Sequence, residues 1–357
     1  MKCLIQGTWL TKLRSCILVH LESRLNNSFN YPEVTIVLPA YNAQKYIKDT
    51  FKCVLSQIYK NLKIIVVDDG STDQTLDIIK KLSQNDKRVI ILSKENGGLS
   101  SARNYGLAHV TSEYVTFVDS DDYIDTDYVT KLMEPFLLND NVMISLVKYV
   151  RTSFYSANDF SNNNKIEFLK RDAGFNKCLL QYKGYDVSAW AKMYKTNLFE
   201  ENKYLDGITY EDLEIIPKLF SEINQDGMIA YVDCVKYQYM RTPNSIITGS
   251  FQERDLDILE IVRNGLAFVE QRLPNSREAY IAKAIAATFS VYRKAIRANG
   301  EKEDRSKIFE TLKWLAKQVN MRSGLTKKEI IAFLVLMLGE RGSIPLVRML
   351  SKFLKEG

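Results

Sequence analysis

Histidine is nearly absent from this sequence: of 357 residues, only His20 and His109 are histidine. That excludes an HExxH zinc site, and with neither histidine near a GxSxG-like or papain-like element a hydrolytic triad finds no support. Acid–base chemistry then falls to carboxylates. Cysteine is also scarce, with five residues at positions 3, 16, 53, 178 and 234, odd in number, widely spaced and without a CxxC pair. Neither a disulfide nor a zinc framework fits, and the context reads as reducing, which points to the cytoplasm. The apolar run Ile330 to Leu338 has nine residues, short of the about 20 that a membrane-spanning helix needs. The turn after the first strand-like run has no glycine, so GxGxxG is missing there, and GxxxxGK occurs nowhere. NAD enzymes and P-loop ATPases are thereby set aside.

What is present is a globular composition, 46% hydrophobic and 26% charged, which fits neither disorder nor a collagen-like chain. Lys+Arg 49 against Asp+Glu 43 gives +6. This mild excess permits contact with nucleotides or lipid head groups and gives no indication of nucleic acid. The first 33 residues lack a continuous apolar segment and a small-residue cleavage site, and read as an extension.

From Val34 short apolar runs alternate with amphipathic stretches: VTIVLP (34–39), a helix to about Ile58, LKIIVVD (62–68), a helix to about Gln84, RVIILS (88–93), a helix from about Leu99, and EYVTFVD (113–119). Strand runs that are almost wholly apolar indicate a parallel sheet covered by helices on both faces. The fold class is therefore α/β and Rossmann-like, with a mostly parallel sheet flanked by helices. A mixed half follows from about residue 151, and from Phe251 the pattern is helical over about 252–272, 276–298, 303–319, 327–338 and 345–355.

Ligands of open parallel sheets sit beyond the carboxyl ends of the strands. Those ends are polar here: Pro39-Ala40-Tyr41-Asn42, Asp68-Asp69-Gly70-Ser71-Thr72-Asp73 and Asp119-Ser120-Asp121-Asp122. Asp119 and Asp121 are two apart, and strand periodicity would point both carboxylates the same way. With Asp122, Asp125 and Asp127 they create repulsion that a hard cation, Mn²⁺ or Mg²⁺, would relieve. Asp125 and Asp127 are read as opening and capping the helix from about Tyr128. At the second strand end one carboxylate would accept a uracil N–H while Tyr41 stacks on the base, a contact worth about 1–3 kcal/mol. Surface packing is the alternative for Tyr41.

The ordered series VTIVLPAYN (34–42), VVDDGSTDQT (66–75), ENGGLSSARNYGL (95–107) and FVDSDD (117–122) resembles the family-2 glycosyltransferases, inverting enzymes of the GT-A fold that use nucleotide-diphosphate sugars. The resemblance implies that Pro39, Tyr41 and Asn42 line the nucleoside pocket and that Asp68 or Asp69 binds uracil. Gly98, with Gly97, would let backbone approach the nucleotide, and Arg103 and Asn104 would anchor that wall, a structural ion pair to the Asp68–Asp69 loop being the other reading of Arg103. Asp119 would hold the ribose or the metal shell and Asp121 would ligate the metal.

Downstream, Gly207-Ile208-Thr209-Tyr210-Glu211-Asp212 looks like the family's Glu-Asp element before a helix. Asp212 would be the catalytic base, with Glu211 beside it toward the acceptor; alternatively Thr209 and Asp212 form a capping box. Ser188 to Tyr194 resembles the family's Trp/Lys strand, in which Trp190 either presents a face to the acceptor sugar or packs in the core. Tyr239 to Ser245 resembles the loop that closes over the diphosphate, a role that suits the guanidinium of Arg241. The late histidine that many GT-A enzymes give to the metal is missing. In the tail, Leu346, Met349, Leu350, Phe353 and Leu354 form an apolar stripe with Arg348, Lys352 and Lys355 off it, which would rest on an anionic membrane or pack on the catalytic domain.

The expectation is a GT-A domain over 34–250, with a nucleotide-binding half (34–150) and an acceptor half (151–250), between the extension 1–33 and a helical C-terminal region 251–357. Its partners would be a UDP-sugar donor and a glycan acceptor, lipid-linked in exopolysaccharide or capsule assembly, at the inner face of the membrane. A non-catalytic nucleotide- or partner-binding relative in an assembly complex is the alternative.

Overall fold

The computed structural model describes residues 31–163, 165–181, 184–242, 249–320 and 327–353, so the extension 1–33 lies outside them except for its last three residues. Four parallel strands lie in the order β3-β2-β1-β4: β1 (Val34–Ala40), β2 (Leu62–Asp68), β3 (Val89–Ser93) and β4 (Tyr114–Phe117). Helices α1 (Ile47–Leu55), α2 (Thr75–Ser83) and α3 (Gly98–Leu107) connect them. Every residue of β1 is buried, the consequence of an apolar run covered on both faces.

The second half adds β5 (Tyr123–Ile124), α4 (Tyr128–Leu138), β6 (Val142–Thr152), β7 (Ile166–Lys170), α5 (Arg171–Leu179), β8 (Lys192–Lys195), α6 (Glu211–Ser221) and β9 (Met228–Met240). Strand β8 is antiparallel both to β4 and to β6, and β6 is parallel to β9. Two reversals restore the first direction, so β1, β2, β3, β4, β6 and β9 all end at one edge of the sheet. Strands β5 and β7 pair antiparallel with β9.

Helices α7 (Asp257–Arg272), α8 (Arg277–Arg297), α9 (Lys302–Gln318), α10 (Lys327–Met337) and α11 (Gly339–Phe353) follow. The last begins at Gly339 instead of about 345. One apolar cluster runs from Val37, Val115 and Phe117 through Ile216 and Val262 to Tyr292, Leu312, Val335 and Val347. These helices therefore complete the core of the sheet. Leu346 packs against that core while Met349 is exposed; Leu354 and Lys355 lie outside the described residues, and the side chains of Leu350, Lys352 and Phe353 outside the described detail. The larger exposed apolar row is on α10, at Ile330, Leu334 and Met337.

Helix α3 lies close on the sheet because position 106 is glycine: a Cβ there would meet Val37 Cγ1 at 2.5 Å. Gly106→Ala is expected to cost about 1–3 kcal/mol through overpacking, measured by denaturant unfolding. An unchanged midpoint would show that the helix can shift at no cost.

Candidate active site

Each strand end on the shared edge hands a polar segment to the next helix. After β1, Asn42 adopts a left-handed conformation with φ of 46°. Its Oδ1 accepts the Thr72 N–H at 2.9 Å, and its own N–H donates to Ser71 Oγ at 3.1 Å. The loops after β1 and β2 are thus tied together. Pro39 is buried within β1 opposite Val67, so it shapes the strand end, whereas Tyr41 stands 50% exposed at the lip.

The two aspartates after β2 have different partners. Asp69 accepts from Lys94 Nζ (2.8 Å), Asn96 Nδ2 (3.1 Å), Gly97 N (3.1 Å) and Gly98 N (2.8 Å). It caps the N-terminus of α3, where backbone N–H groups and the helix dipole favour an anion. Gly98 has φ of 85° with open space at its Cβ position, a conformation that disfavours any other residue. Asp68 accepts a single hydrogen bond from the described residues, from Ser71 N at 3.3 Å, and is the less engaged carboxylate of the pair.

Arg103, on α3, is only 1% exposed. It pairs with neither Asp68 nor Asp69. Its guanidinium donates from Nη2 to Asp119 Oδ1 at 3.0 Å and from Nη1 to Glu211 Oε1 at 2.9 Å and Asp212 Oδ1 at 3.3 Å. The Tyr204 ring lies 5.3 Å from its Cζ. Asn104 fixes the same loop, donating to Tyr204 O at 2.7 Å and accepting from Tyr204 N at 2.9 Å.

Strand β4 stops at Phe117, two residues before Asp119, so strand periodicity does not govern the acids that follow. A turn instead closes from Asp122 N to Asp119 O at 3.2 Å. Asp119 reaches Arg103, Asp121 accepts from Thr242 Oγ1 at 3.2 Å, and Asp122 is fully buried. It accepts from Tyr237 Oη at 2.6 Å and Met240 N at 2.8 Å, fastening the turn to β9. Burial, with Asp119 adding, pushes Asp121 up to about 6. Asp125 and Asp127 precede α4 as expected, but Asp127 makes no side-chain cap bond. Both instead pair with Lys236 Nζ, at 2.6 and 2.7 Å.

Asp212 lies in the first turn of α6. The helix is capped by Tyr210, in a left-handed conformation with φ of 67° and no side-chain cap bond, so the capping-box reading of Thr209 fails. The C-terminal helices hold this bend. Asp257 accepts the Thr209 N–H at 2.8 Å, Tyr210 Oη donates to Asp255 Oδ1 at 3.3 Å, and Lys294 pairs with Asp255 at 2.8 Å. Burial pushes Asp212 up to about 7; Arg103 opposes the shift, Glu211 and Asp119 add to it, and Lys192 opposes it. Lys192 is buried, with its ammonium on Ser188 O at 2.6 Å and Trp190 O at 3.3 Å. Trp190 does not present a face to a ligand. It is 6% exposed, stacked on Tyr237 and Tyr239 and edge-on to Tyr149, as burial of an indole on an aromatic strand favours. Glu211, also expected toward the acceptor, is buried against Arg103.

The edge thus brings together Asp119, Asp121, Glu211, Asp212 and Arg103, with Tyr41, Asn42 and Asp68 on its other side. Arg241 is exposed where β9 leaves the sheet, its N–H on Thr152 O at 2.8 Å; the Pro243 to Ser245 part of that motif lies outside the described residues. The sequence reading missed Lys94, Lys236, Tyr237 and Asp255. Lys94 beside Glu95-Asn96-Gly97-Gly98 carried a local signal; the others act across distances that no spacing records.

Arg103→Met would leave three carboxylates without their counter-charge, at a cost of about 3–5 kcal/mol. Burial already raises Asp212 to about 7 against the opposing charge of Arg103, so without that charge the destabilisation should be full at pH 8 and shrink as the carboxylate takes up its proton at lower pH, toward about 5. Denaturant unfolding at both pH values checks this; an equal loss at each would assign the cost to packing.

A model of glycosyl transferase family 2 matches residues 35–202. Glycosyltransferase GlyA of Streptococcus pneumoniae serotype 4 is 33% identical over 201 residues, 53% of this chain and 28% of that protein. Chondroitin synthase of Pasteurella multocida is 42% identical over 106 residues, 30% of this chain and 11% of that protein. The chain thus spans less than a third of the length of either relative. Among solved structures, S. aureus TarS 1–349 in complex with UDP-GlcNAc superposes with a TM-score of 0.65 at 20% identity, over 88% of this chain and 89% of that one. The fold is the GT-A fold, as expected, with helices C-terminal to it. Residues 35–202 thus form a glycosyl transferase family 2 domain.

Proposed function

We propose that this chain is an inverting glycosyltransferase that moves a sugar from a UDP-sugar to a hydroxyl of a glycan. One observation carries the reading: Asp212, Glu211 and Asp119 meet around the buried Arg103, at the strand edge that also carries Asp68 and Tyr41. Tyr41 stacks on the uracil, Asp68 accepts its N–H, and Asn42 and Gly98 shape the wall. Asp212 Oδ1 rests on Arg103, which orients the carboxylate. It takes the acceptor hydroxyl proton as that oxygen bonds to the anomeric carbon from the face opposite the diphosphate, whose C–O bond breaks to release UDP. A single displacement of this kind inverts the anomeric centre.

The donor set suits Mn²⁺ or Mg²⁺. Among the described residues no group of three or more His, Cys, Asp or Glu forms a metal cage, but Mg²⁺ is commonly held by one or two carboxylates together with substrate phosphates. Asp121 and Asp119 would supply these; burial, with Asp119 adding, pushes Asp121 up to about 6, and a cation there would oppose that shift. When bound, the metal neutralises charge on the leaving diphosphate. Arg241 would meet the same phosphates.

The name of the relative chondroitin synthase supports a glycan acceptor. For a lipid-linked acceptor at the inner face of the membrane, the exposed Ile330, Leu334 and Met337 of α10 would serve as a peripheral contact; no helix among the described residues is long and apolar enough to cross a membrane.

With Asp212 at about 7, kcat/KM should rise roughly tenfold per pH unit below pH 7 and level off above it. Asp212→Asn should abolish transfer and keep the thermal shift given by UDP with Mn²⁺, about 2.7 kcal/mol at 100 times Kd. Normal turnover in that variant would remove Asp212 as the base. Asp121→Ala should lose the Mn²⁺-dependent part of the UDP shift. The absence of any nucleotide-dependent shift in the unaltered chain would favour the non-catalytic reading.

A further inference from the structure

Phe154 and Tyr155 are 70% and 49% exposed, yet the segment that carries them is firmly held. Thr152 Oγ1 donates to Phe154 O at 2.6 Å, Ser156 N donates to Gln238 Oε1 at 3.2 Å, and Ser161 N donates to Val235 O at 3.1 Å. The Tyr155 ring lies 4.9 Å from that of Tyr123, and the ring of Phe160 lies 6.4 Å away on the same cluster. Phe154 is thus held largely in water, and Tyr155 half in water, by a loop anchored on both sides of them, which leaves a contiguous exposed aromatic surface.

Their place in the fold connects them to the candidate site. Strand β6 ends at Thr152 on the same sheet edge as β1, β2 and β4, paired with Met240 of β9. Arg241 N donates to Thr152 O, and Thr242 Oγ1 touches Asp121. Tyr123, against which Tyr155 rests, is two residues after Asp121. The rings therefore stand beside the carboxylate turn on the acceptor half, with exposed Ser153, Asn158 and Arg241 around them. Rigid aromatic faces beside amide, hydroxyl and guanidinium groups match a pyranose, which is apolar on its C–H faces and rimmed by hydroxyls.

We propose that Phe154 and Tyr155 form a platform on which a sugar residue of the acceptor glycan stacks, one or more units from the hydroxyl that reacts. The proposal rests on the glycosyltransferase reading for the identity of the occupant, and continuity with the Asp119–Asp121 turn favours a glycan over a lipid surface or a second protein.

Saturation-transfer NMR with cellotetraose, chitotetraose and maltotetraose on the full chain tests it, since it detects weak binding without knowledge of the natural acceptor. At least one of the three should receive saturation, and Phe154→Ala with Tyr155→Ala should weaken that ligand by about tenfold, the loss of two stacked rings. The double variant should keep its shift with UDP and Mn²⁺, and Phe154→Ala alone, which removes no ring contact of that cluster, should also keep the melting temperature. Equal signals in variant and unaltered chain would overturn the platform, as would no signal with any of the three. Ring-dependent co-sedimentation with vesicles of phosphatidylglycerol and phosphatidylethanolamine, without ring-dependent sugar binding, would overturn it in favour of a lipid surface. If sugars bind through the rings but UDP gives no shift, the platform stands and the nucleotide-sugar reading falls.

Discussion

A single buried guanidinium organises the polar edge of the sheet. Desolvating Arg103 would be prohibitive without partners, and its partners come from both halves of the chain: Asp119 from the turn after β4, Glu211 and Asp212 from the start of α6. Every element around it is constrained by that requirement. Helix α3 must lie near enough to β1 that only glycine fits at 106, and the Tyr204 loop is bound to Asn104 so that its ring can cover the cation. Breaking a buried pair by removing one member costs more than forming it gains. The network is thus better understood as specifying geometry than as a source of stability.

Around that centre the acids divide according to the donors they have found. Asp69 has four, Asp122 has two and lies fully buried, and Asp125 and Asp127 share Lys236. Those are structural. Asp68, Asp121 and Asp212 each retain an oxygen for which the described residues supply no hydrogen bond, and burial holds the latter two above the ordinary carboxylate range. Such groups gain from a ligand that brings positive charge or a proton to accept, which is the physical meaning of a perturbed acid in a cleft. Composition could not make this division, because all of these residues are aspartate.

What the sequence disclosed, and what it withheld, follows from the range of the interactions. The strands of the first half were legible because burial on both faces leaves almost no polar positions, and the turn chemistry of Asp68 to Asp73 marks where β2 ends. The Asp119–Asp121 pair was found but its geometry misjudged: β4 ends early, and a turn sends the two carboxylates to different partners. Arg103 was singled out, yet its partners lie 16, 108 and 109 residues away, beyond any local pattern. Trp190 was ambiguous for the same reason, since the stacking tyrosines that bury it come from another strand. The left-handed Tyr210 had no local signal at all, because its conformation is imposed from the C-terminal helices.

That last dependence changes what the helical region is for. A non-glycine residue in the left-handed region costs of order 1–3 kcal/mol and persists only where its surroundings over-determine it. Here the surroundings are Asp255, in the turn before α7, and Asp257, its first residue, with Lys294 of α8 holding Asp255 in turn. The same helices share one continuous apolar core with Val37 and Phe117 of the sheet. A helical layer that is part of the core and also fixes the bend before Glu211 and Asp212 cannot be a detachable appendage. The direction in which Asp212 faces is set jointly by Arg103 from the sheet side and by this bend from the helical side. Loss of either anchor leaves the carboxylate present but free to turn out of this geometry.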